Sequence, residues 1–180
     1  MMKTNFKKFG ILASLFIMGF EVSHGQQLQI TDFIMYAGNG GPGCTVPLAP
    51  GYAVQFGSST AIQSGAIGSS VLVQTTGNSS IGGNIHSGGK VVLANGNSVS
   101  GKITAANSAS ATGTIVQVGT NANLTGNIDV NGNVVVGGGT VSGKVTHPTG
   151  TTYTGPAPAG GNIIGAPSLP TLPALPTPIV

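Results

Sequence analysis

The feature that most restricts the fold is a repeat of about eighteen residues in the middle of the chain. Ile85 to Ile103 reads I-H-S-G-G-K-V-V-L-A-N-G-N-S-V-S-G-K-I, and Ile128 to Val145 reads I-D-V-N-G-N-V-V-V-G-G-G-T-V-S-G-K-V. With a one-residue gap these superpose through Gly89 and Gly132, Val91-Val92-Leu93 and Val134-Val135-Val136, Gly96 and Gly139, and a shared V-S-G-K. Weaker copies run from Ile67 to Ile85 and through T-I-V-Q-V and N-L-T-G-N-I at 114–118 and 123–128. Ile67, Ile85 and Ile103 recur at the repeat interval. The step from Ile103 to Ile128 is longer, which marks Ala105–Thr112 as a loop inserted into one turn.

Such a period suits one turn of a three-faced solenoid at about six residues per face. Each turn offers about five inward aliphatics, for example Ile85, Val91, Leu93, Val99 and Ile103. Burying five cannot offset the ordering of a whole turn, so a lone coil cannot stand. Stacked coils gain a continuous core and hydrogen bonds above and below. The expectation is an all-β fold: a short right-handed β-helix of about four turns, roughly 20 Å tall. Gly and Asn at Asn95-Gly96, Asn131-Gly132 and Gly137–Gly139 suit its corners.

The flanks read differently. Lys3, Lys7 and Lys8 precede an apolar run from Phe9 to Phe20, and Ser23 and Gly25 suit a cut before Gln26. Residues 1–27 therefore read as a cleaved secretory signal, too short in its apolar run to span a bilayer. Residues 28–57 carry most of the remaining aromatics and read as an N-terminal cap, 58–147 as the β-helix repeats and 148–180 as a Pro-rich extended tail. In the tail, L-P-T-L-P-A-L-P-T-P reads as a stiff polyproline II spacer. Its abrupt end at Val180 suggests a longer protein.

Composition excludes several functions. Charged residues are 5% of the chain and there is no Trp. Beyond the signal, three lysines (Lys90, Lys102, Lys144) face two aspartates (Asp32, Asp129). Without a basic patch nucleic acid is a poor partner. No later segment reaches transmembrane length. Asp32 and Asp129 lie far apart in sequence, so no carboxylate pair points to glycoside cleavage, and the reading is not an enzyme. His86 and His147 stand alone and imply no metal, and no cofactor is expected. Gly38-Asn39-Gly40-Gly41-Pro42-Gly43 fits G-x-G-x-x-G, but Pro42 and the lack of a following helix make it a tight loop. The glycosylation-type triplets at Asn78 and Asn123 are common by chance in so Asn/Ser/Thr-rich a chain.

Two features remain as candidate contacts. Lys102 and Lys144 occupy equivalent repeat positions and form a surface stripe, either a solvated edge or a weak site for anionic glycans. Cys44, the only cysteine, could serve as an intermolecular thiol. Scattered threonines, such as Thr112, Thr114, Thr125 and Thr140, raise ice binding as an alternative, although they keep no strict T-x-T register.

The I-x-x-x-G-x-V-V-V-x-x-G-x-V-x-G-x-[IV] texture of 85–145 resembles the bactofilins, β-helical proteins that polymerise end to end. The chain as a whole resembles the N-terminal region of long secreted surface proteins of the Bacteroidota. These resemblances imply export to the cell surface, self-stacking and a structural or adhesive role. The lysine stripe and the uncharged, Thr-bearing faces leave a surface polysaccharide as a further partner, with glycan or ice binding as the alternative.

Overall fold

The computed structural model describes residues 26–38, 54–106 and 113–174. These residues form a β-solenoid of about six coils, built from three parallel sheets. Sheet 1 contains β1 (Phe33–Ala37), β4 (Ala66–Ser69), β7 (Ile85–Ser87), β10 (Ile103–Ala105), β13 (Ile128–Val130), β16 (Val145–His147) and β18 (Asn162–Ile164). Sheet 2 contains β2 (Val54–Phe56), β5 (Leu72–Thr75), β8 (Lys90–Leu93), β11 (Thr114–Val118), β14 (Asn133–Val136) and β17 (Tyr153–Thr154). Sheet 3 contains β3 (Ala61–Ile62), β6 (Ser80–Ile81), β9 (Ser98–Val99), β12 (Ala122–Leu124) and β15 (Gly139–Val141).

The repeat alignment is the strand register. Ile67 pairs with Ile85, and Ile85 with Ile103. Ile103 then pairs with Ile128, so the longer step is absorbed between β10 and β11, where residues 107–112 lie outside the described set. Val91 pairs with Val116 and Val116 with Val134, which puts the two V-V motifs in one sheet with β11 between them. The five aliphatics assigned to the interior of the Ile85–Ile103 repeat are all buried. In β2, Val54 and Phe56 are buried and Gln55 is exposed, the alternation expected of a half-buried strand.

The coils extend past the boundaries drawn from sequence. β1 and β2 belong to the segment assigned to the cap, yet they pair with β4 and β5 as an ordinary first coil. β17 and β18 lie in the segment assigned to the tail, yet they pair with β14 and β16. The stack is therefore about 30 Å tall at the usual strand spacing. The terminal coils escaped the repeat reading because their strands carry none of the Val-Val motif. Residues 39–43 of the Gly-rich loop, Cys44, Tyr52 and residues 1–25 lie outside the described residues.

Two columns hold the coils at this spacing. At the corner between sheets 3 and 1, Gly83, Gly101, Gly126 and Gly143 stack on one another. A Cβ at Gly101 would run into the carbonyl of Gly83, and one at Gly126 into the carbonyl of Gly101. This is why the S-G-K corner keeps its glycine. Asparagines bridge successive corners: Asn84 Oδ1 accepts from the Lys102 N–H at 2.8 Å, Asn127 Oδ1 from the Lys144 N–H at 3.0 Å, and Asn133 Oδ1 from the Thr152 N–H at 2.8 Å. Each gives a corner N–H, which a strand ladder cannot reach, its acceptor.

The glycine column yields a direct test. Gly101→Ala should lower stability by roughly 1–3 kcal/mol, because backbone rather than a mobile side chain blocks the new methyl. Gly57→Ala, where a Cβ meets nothing within 4 Å, should be nearly neutral. Thermal melts of the two variants decide the matter.

A strapped polar cleft as the candidate functional site

The middle residues of the sheet 1 triplets point away from the core and form one column: Gly68, His86, Thr104, Asp129 and Thr146 pair in succession. His86, Thr104, Asp129 and Thr146 are nonetheless buried. The Pro-rich tail runs along this side of the solenoid rather than projecting from it as a spacer. From β18 it climbs back toward the first coil. Lys102 Nζ donates to Ser168 O at 3.0 Å, Thr171 N–H to Gln26 O at 3.0 Å, Leu28 N–H to Thr171 O at 2.9 Å and Tyr36 Oη to Pro173 O at 2.9 Å. Proline removes its own N–H and favours an extended path, which suits a strap that bonds at intervals through its carbonyls. Gln26 and Gln27, placed in the signal from sequence, belong to this folded clasp; Gln27 bridges Thr171.

Between strap and sheet lies a cleft of about 440 Å³, lined among others by Gln26, Asp32, Asn84, His86, Lys102 and Ser168. Lys102 is its hub. It reaches from the corner before β10 to the outward residue of the next coil, and its Nζ lies 2.7 Å from Asp129 Oδ2. The Asp129 side chain is 5% exposed, so this ion pair is largely dry on the acid's side. His86 Nδ1 is 2.8 Å from Thr104 Oγ1, and the ring meets Phe33 edge-on at 5.9 Å. Burial, helped by the nearby Lys102 charge, lowers the His86 pKa to about 4, so the imidazole is neutral at pH 7. Asp32 stands in the turn Ile30–Asp32 and accepts the Gln29 N–H through Oδ2 at 2.7 Å.

The two lysines of the expected stripe do share one corner, but their circumstances differ. The outward residue one coil below Lys102 is Asp129. The same position below Lys144 is Ile163, which pairs with Thr146, and Lys144 is exposed. Lys102 is therefore engaged in an ion pair and with the strap, whereas Lys144 is exposed. The two aspartates lie far apart in sequence: Asp129 is the ion-pair partner of Lys102, and Asp32 lines the same cleft as Lys102. Sequence reasoning missed this cleft. The outward column was readable from the aligned triplets I-H-S, I-T-A, I-D-V and V-T-H, but the path of the tail was not.

His147 lies elsewhere, buried at the end of β16 with Nδ1 2.9 Å from Thr151 Oγ1. Among the described residues no group of three or more His, Cys, Asp or Glu side chains could hold a metal ion. No helix of the described residues is long and apolar enough to cross a membrane. No family of known proteins, no curated protein and no solved structure matches this chain.

Proposed function

We propose that the chain is an exported structural or adhesive β-solenoid module that associates end to end. The carrying observation is the distribution of exposed apolar side chains. Among the described residues, the large exposed hydrophobics are Ile30, Ile34 and Met35 at the first coil and Ile163 and Ile164 at the last. β1 and β18 are the two edges of sheet 1. Open sheet edges with apolar residues favour pairing with another chain unless they are blocked. A contact of one end with the opposite end is heterologous, and it propagates as a filament if it does not close.

The other faces support a structural role. The outward column of sheet 3 is Ala61, Ser80, Ser98, Asn123 and Thr140. That of sheet 2 is Gln55, Gln74, Val92, Gln117, Val135 and Thr154. Neither is a threonine ladder of the kind ice binding calls for, and neither gathers ionisable groups for catalysis. The secretory signal read at the N-terminus, with its cut before Gln26, supports export; N-terminal sequencing of the exported protein should begin at Gln26.

Analytical ultracentrifugation and negative-stain microscopy test the assembly. Open-ended oligomers that grow with concentration are expected. Ile34→Asp and Ile164→Asp, both on exposed edge positions, should each shift the onset of assembly to at least tenfold higher concentration. A chain that stays monomeric throughout, or assembly untouched by both variants, would overturn the proposal.

A further inference from the structure

We infer that the cleft between the strap and sheet 1 is a binding site for a neutral, polyhydroxylated ligand, such as one residue of a glycan. The inference does not depend on end-to-end assembly. Its first ground is convergence. In a chain with so few ionisable groups, Asp32, His86 and Lys102 line a single cleft, with Asp129 bonded to Lys102 from behind. Its second ground is size: about 440 Å³ falls within the range of small-molecule pockets.

Its third ground is the hydrogen-bonding capacity that faces the cleft. Lys102 has three ammonium N–H donors, and Asp129 and Ser168 O take two of them. Asn84 uses its oxygen on the Lys102 backbone N–H, which leaves its amide N–H donors for the cleft. Asp32 spends Oδ2 on the Gln29 N–H and keeps Oδ1 as an acceptor. His86 has one nitrogen with Thr104 and a second that donates or accepts according to tautomer. The residues lining the cleft thus offer both donors and acceptors, as hydroxyl groups require. Gly65 and Gly83 add two positions on the wall without side chains.

Charge argues against other ligand classes. Asp129 already balances Lys102, so an anionic ligand would meet Asp32 without a free countercharge. A metal cation would meet the Lys102 ammonium. An uncharged polyol has neither problem. The strap supplies one wall through Ser168 and Pro170, so an occupied cleft also holds the strap closed.

Titration of the isotope-labelled protein, followed by NMR, tests this. The probes are glucose, galactose, mannose, N-acetylglucosamine and their neutral disaccharides, with galacturonate as the anionic comparison. At least one neutral sugar should give saturable shifts of the His86 ring and the Asn84 side-chain amide, with Kd near ~1 mM. Asp32→Ala, on an exposed turn, should weaken binding about tenfold, while Lys144→Ala should not. Failure of every neutral sugar at ~50 mM overturns the inference. So does tighter binding of galacturonate, or shifts that Asp32→Ala leaves unchanged.

Discussion

Replacing Lys102 with Met should destabilise the solenoid by on the order of 3 kcal/mol, more than any other surface-lysine change in the chain. The reason is Asp129. Its carboxylate is almost dry, and Lys102 Nζ at 2.7 Å is the cation that compensates it. Removing one partner of a buried pair leaves an uncompensated charge, which costs more than the pair itself contributes. Lys102 is about one-third exposed, so the upper end of the usual range does not apply. The same change frees Ser168 O and loosens the strap at its midpoint. Lys102→Met combined with Asp129→Asn should recover much of the loss, because the stranded charge is gone. Lys144→Met, at the equivalent corner above Ile163, should change stability by less than ~0.5 kcal/mol. Urea denaturation of these three variants beside the unaltered protein forms the test. Equal losses for Lys102 and Lys144 would contradict the asymmetry of the two corners.

Acidification should weaken the fold by about 3 kcal/mol between pH 6.5 and pH 4 through His86 alone. In the folded chain burial and Lys102 lower its pKa to about 4, whereas the unfolded chain titrates near 6.5. Below 6.5 the unfolded state therefore takes up a proton that the folded state refuses. Stability falls as pH drops through this window and levels off below about 4, where both states are charged. The groups around His86 reinforce the direction: Phe33 and Thr104 offer no negative charge, and Lys102 opposes a second cation. His86→Gln should flatten the slope in this window. A wild-type slope that survives His86→Gln would place the acid response elsewhere.

The fold was largely legible in the sequence because a solenoid repeats its physics. The isoleucines at 67, 85 and 103 must share an interior if they recur at one turn, and the glycine of S-G-K must recur if corners touch backbone to backbone. The longer step from Ile103 to Ile128 followed from the same arithmetic. What repeats less was less legible. β1, β17 and β18 are coil strands without the Val-Val motif, so they passed for cap and tail. The strap was unreadable for a different reason. Proline fixes an extended path but does not say what that path lies against, and the bonds that dock it come from backbone carbonyls at Ser168, Thr171 and Pro173. The cleft depends on that docking. Asp32, His86 and Lys102 each looked solitary along the chain, and only the strap and the coil register bring them together.

Cysteine cross-linking across neighbouring coils tests the stacking most directly, with Cys44 first replaced by Ser. In sheet 3, Ser98 pairs with Asn123 across the longer step. Parallel neighbours of this kind stand at a separation a disulfide can span. Ser98→Cys with Asn123→Cys should therefore oxidise to an intrachain disulfide under mild conditions. An uninterrupted eighteen-residue step would set Ser98 opposite Val116 instead. Cross-linking of Ser98→Cys with Val116→Cys, and none with Asn123→Cys, would contradict the coil register on which the column, the cleft and the strap all rest.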